Sequence, residues 1–177
     1  MSKIKTALLW ILWPAYMKNG NRHTFSVVLK FWFFQKILRL NSRIPWPVDP
    51  TSRVMSPENI VRGSRTPGMA KGCHIDGRNG IVFGENVWVG PRVSIISMNH
   101  SVLNFERYVV SKPVRIGRDS WLATNCVILA GVELGPHTIV AAGAVVSKSY
   151  PQGNIILGGV PAEPIRVIQP YERKECT

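Results

Sequence analysis

The sequence predicts an all-β fold: a parallel β-helix of about five coils over residues 48–168, preceded by a helical, basic and aromatic arm over residues 1–47. Three observations predict it. Aliphatic residues recur every six positions, the recurrence breaks at a histidine, and no acidic residue occurs before position 49. A chain of 177 residues with 45% apolar content is long enough for one domain with an extension. Fifteen glycines and thirteen prolines suit many short elements joined by turns rather than long helices.

The arm comes first. Residues 1–48 carry Lys3, Lys5, Lys18, Arg22, Lys30, Lys36, Arg39 and Arg43, while the rest of the chain shares the other basic residues with all 10 acidic ones. The net charge of +12 is therefore concentrated at one end. Two apolar runs lie here, "ALLWILWPAY" (7–16) and "FSVVLKFWFFQKILRL" (25–40), separated by polar and basic residues. A membrane span needs about 20 largely apolar residues. The first run is shorter and contains Pro14; the second is interrupted by Lys30, Gln35, Lys36 and Arg39. The small-x-small cleavage site of an exported leader is missing after the first run, which points to the cytoplasm. The arm reads as a pair of amphipathic helices. Three settings suit them: the interface of an anionic membrane, the body or a neighbouring subunit, or a re-entrant hairpin. Large aliphatics interleave the cations, which disfavours nucleic acid as a partner.

The coils follow. Ile116, Leu122, Ile128, Leu134, Val140 and Val146 fall in one frame of six, which Val110 extends by one step. Four places after each stands Val114, Ser120, Cys126, Val132, Thr138, Ala144 and then Tyr150, all but the last small or β-branched. Earlier frames run Phe83, Val89, Ile95 (with Val87 and Val93 in the small position), then Met69, Ile75, Ile81, and then Val48, Val54, Ile60. Neither a helical period nor strand alternation produces a period of six. One flat face per hexad does, and three faces close a coil of about 18 residues. Gly117 and Gly135, just after their aliphatics, read as residues that tolerate the bend. A tail, 169–177, follows.

The break is expected over residues 101–109. The frame ending at Ile95 closes its hexad at His100 and the next starts at Val110, so "SVLNFERYV" must leave the coil as a loop. His100 stands at its root. Imidazole, with an ordinary pKa of about 6.5, is a competent base at neutral pH. Asn99 or Glu106 could orient it. His23, His74 and His137 are scattered, with no His-x4-His spacing, so no metal site is expected. Cys73, Cys126 and Cys176 are odd in number and form no CxxC, which suits a reducing compartment.

The segments "IGRDSWLATNCVILAGVELG", "VAAGAVVSKSYP" and "GGVPAEPIR" resemble the hexapeptide-repeat acyltransferases. The similarity is to the branch of galactoside, maltose and xenobiotic acetyltransferases and bacterial surface-polysaccharide O-acetyltransferases. The resemblance implies a left-handed helix, a homotrimer with active sites between subunits, and acetyl-CoA as cosubstrate. It implies that His100 is the general base for direct attack by an acceptor hydroxyl, and that a backbone N–H supports the oxyanion. It also implies cofactor contacts. Trp121 would flank the groove, Thr124 or its amide would lie near the thioester, and Ala142 would allow close backbone approach. Ser147, Lys148 and Arg166 would meet the polyanionic end. "WLA" and "GGVPA" depart from the family's Trp-Ile-Gly and Gly-Asn-Pro-Ala. Three functions are compatible. One is an O-acetyltransferase acting on a sugar hydroxyl in surface polysaccharide synthesis, peripheral on the inner membrane, with a saccharide acceptor that could be lipid-linked. Another is a soluble transferase for an antibiotic or sugar nucleotide. The third is a non-catalytic β-helix scaffold.

Overall fold

Hexads shape the chain into a three-sided solenoid, seen in a computed structural model that describes residues 3–18 and 23–172. Arg22, Cys176 and the last five residues of the tail lie outside the described residues. Face one stacks Arg53–Met55, His74–Asp76, Ser94–Ile96, Val127–Ile128 and Val145–Val146 in parallel. Face two stacks Ile60–Val61, Ile81–Phe83, Val114–Ile116 and Glu133–Leu134. Face three stacks Trp88–Val89, Trp121–Leu122, Thr138–Val140 and Ile155–Gly159, and the antiparallel strand Ala162–Val167 closes it. Five parallel strands on face one mark the five turns.

The inward residues are those the repeat specifies. Ile75, Ile95, Ile128 and Val146 stack on face one, Ile81, Ile116 and Leu134 on face two, and Leu122, Val140 and Leu157 on face three, all buried. Every small-position residue from Val114 to Ala144 is buried as well. Tyr150, the exception in size, sits at the end of the stack, where no further coil needs the space. Its hydroxyl donates to the Ala162 carbonyl at 2.9 Å. Val110 does not belong to the series. It is 86% exposed, and face two resumes only at Val114.

Gly117 and Gly135 are required for a different reason from the one expected. Neither has a positive φ. They stack where faces two and three meet, and a Cβ on Gly117 would lie 2.3 Å from the Gly135 carbonyl carbon. Backbone crowding between successive coils excludes any side chain there.

One open end of the solenoid is covered by the arm, as solenoid ends require. Helix α1 (Lys3–Leu12), the short α2 (Pro14–Met17) and α3 (Phe25–Trp32) precede a π-helical turn, Phe33–Ile37. Their inner face, Leu9, Trp13, Tyr16, Val28 and Phe31, joins one core with Trp46, Val48 and the coil. Buried Gln35 fastens the connection. Its amide nitrogen donates to the carbonyls of Ile44 (3.2 Å) and Trp46 (3.0 Å), and its oxygen accepts from Val48 N (2.9 Å). Trp46 donates in turn to the Pro67 carbonyl at 2.9 Å.

Candidate active site

Three successive turns pass from face one to face two by residues 77–80, 97–113 and 129–132. The middle passage is the excursion. It begins four residues earlier and ends four later than the expected 101–109, because it is a β-hairpin in which Asn99–His100 pairs antiparallel with Tyr108–Val109. The coil below holds both of its feet. Asn79 donates its backbone N–H to Ser97 Oγ (2.9 Å) and its side-chain amide to the carbonyls of Ser97 (2.9 Å) and Val109 (3.0 Å). Ser111 Oγ donates to the same Ser97 carbonyl at 2.9 Å.

His100 sits on this hairpin, exposed. Its Nδ1 engages the Phe105 carbonyl across the turn. A carbonyl only accepts, so Nδ1 is the donor, and in the matching neutral tautomer Nε2 is the nitrogen that can take a proton. The ring lies on Tyr108, centroids 4.6 Å apart. The Arg78 guanidinium stands 4.8 Å from the other ring partner, Tyr108. Arg78 forks onto buried Asp76, with Nε to Oδ1 at 2.9 Å and Nη2 to Oδ2 at 2.8 Å. Burial pushes the Asp76 carboxyl up, but the hydrogen bonds and charge of Arg78 outweigh it and hold the group below its ordinary value. The outcome is a fixed anion, a cation held by it, a phenol ring and the imidazole, in that order.

Asn99 and Glu106 are the side chains that the sequence offers for orienting His100. The Phe105 carbonyl occupies that place instead, because the tight turn of the hairpin brings backbone, not side chain, to Nδ1. Asn99 pairs with Val109, and the backbone N–H of Glu106 donates to Asn104 Oδ1.

The six residues expected to meet the cofactor do not converge on His100 within one chain. Trp121 stands on face three, half exposed. Thr124 and Ala142 occupy adjacent turns of the edge between faces three and one, where the Thr124 carbonyl accepts from Gly143 N at 3.0 Å. Ser147 and Lys148 lie on the same edge as the hairpin, two coils further along. Lys148 is held by Glu163 at 2.9 Å, so an incoming anion must compete with that carboxylate. The Glu163 hydrogen bond and charge raise the lysine's pKa. Arg166 is exposed on the closing strand, paired with Ile156.

Face three sets Trp88, which the sequence does not single out, beside Trp121. Trp88 and Trp121 sit in register on neighbouring coils, each about half exposed (52% and 51%). With Asp119, His137, Ile139 and Tyr171 they line an open trough of about 380 Å³. Asn86 ties its floor, donating to Asp119 Oδ1 (3.0 Å) and to the Tyr171 hydroxyl (3.3 Å). The Arg65 guanidinium lies 3.3 Å from the Trp88 ring centroid. Among the described residues, no group of three His, Cys, Asp or Glu side chains is placed to hold a metal ion.

Fold and site together define a hexapeptide-repeat solenoid that presents an exposed histidine on a hairpin. Residues 113–148 match the family model described as bacterial transferase hexapeptide (six repeats). It is 33% identical over 98 residues to the galactoside O-acetyltransferase of Escherichia coli K12, covering 52% of this chain and 47% of that protein. It is 30% identical over 106 residues to the E. coli K12 protein WcaF, provisionally named for acetyl transfer in colanic acid biosynthesis, covering 49% of this chain and 58% of that one. A crystal structure of a maltose O-acetyltransferase from Clostridium difficile 630 superposes with a TM-score of 0.58 at 27% identity, covering 67% of this chain and 64% of that chain. The structural neighbours are left-handed β-helix acetyltransferases, and this solenoid shares their fold. The chain spans about half the length of the curated relatives it matches.

Proposed function

We propose that the chain is an acetyl-CoA-dependent O-acetyltransferase acting on a sugar hydroxyl in bacterial surface polysaccharide synthesis, with His100 as general base. One observation carries the reading: the His100 imidazole is held by its Nδ1 proton on a backbone carbonyl, which leaves Nε2 open at an exposed hairpin. In the proposed step the acceptor oxygen forms a bond to the thioester carbonyl carbon as its proton passes to Nε2. The carbon–sulfur bond then breaks, and the leaving thiolate takes that proton back. No acyl-enzyme forms. Tyr108 and Arg78 keep the ring from rotating, so the base meets the hydroxyl in one orientation.

The dispersal of the remaining candidates supports a homotrimer. A hairpin reaching a neighbouring copy would set His100 against that copy's groove. The exposed apolar tip, Val102, Leu103 and Phe105, suits such a contact. The trough beside Trp88 and Trp121 has the apolar lining that a pantetheine arm requires, and exposed Arg166 suits its phosphates. Polysaccharide as the acceptor rests on the likeness to the protein named for colanic acid synthesis. The cationic arm supports a lipid-linked form of that acceptor and a peripheral place on the inner membrane. No helix among the described residues is long and apolar enough to cross a membrane.

The test incubates the purified chain with acetyl-CoA and a panel of free and lipid-linked saccharides, an aminoglycoside and a sugar nucleotide, reading acceptor mass gain. Acetylation of a saccharide is expected, and His100→Ala should lower the rate at least about 100-fold with the melting temperature unchanged. An unchanged rate removes His100 from the chemistry. Transfer to an aminoglycoside or sugar nucleotide alone would favour the soluble small-acceptor reading. No transfer at all would favour the scaffold.

A further inference from the structure

The arm has a second face that the coil does not use. On α1, Ile4, Leu8 and Ile11 recur at helical spacing on the side opposite buried Leu9, and Ile4 and Ile11 are about three-quarters exposed (74% and 76%). On α3 and its π-helical continuation, Leu29, Phe33 and Ile37 form a matching stripe, opposite buried Val28, Phe31 and Gln35. The two helices pack against each other, and their inner faces are committed to the core. Leu38 and Leu40 extend the exposed apolar surface. Lys3, Lys5, Lys30, Lys36, Arg39 and Arg43 belong to the same segment, which contains no acidic residue.

We infer that this outer face docks on an anionic bilayer, with the two stripes entering the boundary between headgroups and acyl chains and the cations at headgroup level. Charge decides against a second copy of the same face, because such a contact would bring two sets of cations together. An amphipathic pair whose charged residues are all basic is complementary to lipid phosphate. The inference deepens the lipid-linked acceptor reading above and rests on it for its biological sense, but the docking itself is measured without any transfer.

The experiment floats the full chain with phosphatidylcholine vesicles, with and without phosphatidylglycerol, at low and high salt and in the absence of acetyl-CoA. Binding to the anionic vesicles is expected, with a loss of at least tenfold on removing phosphatidylglycerol or raising salt. The double variant Ile11→Glu/Phe33→Glu should weaken binding at least tenfold while the melting temperature holds, since both side chains are exposed. Absence of flotation by the unaltered chain overturns the inference, as does equal binding to neutral vesicles. A double variant that binds equally well, or that dissociates the oligomer in light scattering, overturns it too, the latter because the face would be an interface between copies. A chain that acetylates free saccharide but does not float defeats the docking alone. One that floats but transfers nothing defeats the proposed reaction alone.

Discussion

Residues 129–132 and residues 97–113 make the same turn, from face one to face two, in successive coils. The short passage is held by backbone hydrogen bonds: Leu129 N donates to the Val146 carbonyl of the next coil at 3.0 Å, and Val132 N to the Leu129 carbonyl within the turn at 3.3 Å. The long passage is held by side chains. Asn79 and Ser111 gather its feet, and Arg78 and Tyr108 brace its imidazole. The difference separates two kinds of information. Where the repeat continues, residue type is set by packing against the next coil. Where it breaks, residue type is set by what the excursion must present.

Three substitutions or conditions test that separation, taken from the largest effect to the smallest. Ile116→Ala, in the repeat, empties a buried position between coils and should cost about 2–5 kcal/mol of stability, read by denaturant unfolding. A cost below about 1 kcal/mol would mean the coils are loosely packed. Tyr108→Leu, in the excursion, should leave the melting temperature nearly unchanged while kcat of the proposed transfer falls about tenfold, as the proposed base would lose its orientation. A fall in stability with kcat intact would make Tyr108 a structural residue only.

The smallest effect lies at the junction of arm and coil. The Tyr16 hydroxyl and His23 Nδ1 are 2.5 Å apart, and Arg62 and Arg65 lie close by. Burial lowers the His23 pKa below 6.5, and the charges of Arg65 and Arg62 lower it further. The folded chain therefore binds this proton less readily than the unfolded chain does. Stability from this group is full above a pH of about 6.5 and declines as pH falls toward the folded pKa. A drop in melting temperature is expected as pH falls below about 6.5, and His23→Gln should flatten it. An identical slope in the variant would assign the acid sensitivity elsewhere.

Most of the solenoid is legible because one geometric demand repeats. Ile116, Leu122, Ile128, Leu134, Val140 and Val146 are each buried for the same reason, so the pattern announces itself. Val110 shows how a frame can run on by coincidence: it falls six places before Ile116 yet stands in solvent. His100 was visible because it ends the rhythm. The Asn79–Val109 and Arg78–Tyr108 contacts were not, since each joins residues about thirty positions apart and no local pattern links them. The Trp88–Trp121 pair was hidden by the same insertion, which lengthens the spacing between the two coils. Packing and membrane contact had been alternatives for the arm. Its inner face packs on the coil, and an outer face is left over, because the residues on opposite sides of each helix meet different surroundings.

The closing strand Ala162–Val167 runs against the direction of every other strand on its face. A stack of parallel coils has no intrinsic length, since each new turn offers the next an identical row of hydrogen-bonding groups. Reversal of the final strand spoils that template at one extremity, and the helices obstruct the other. Both features work against end-to-end growth of copies into fibres.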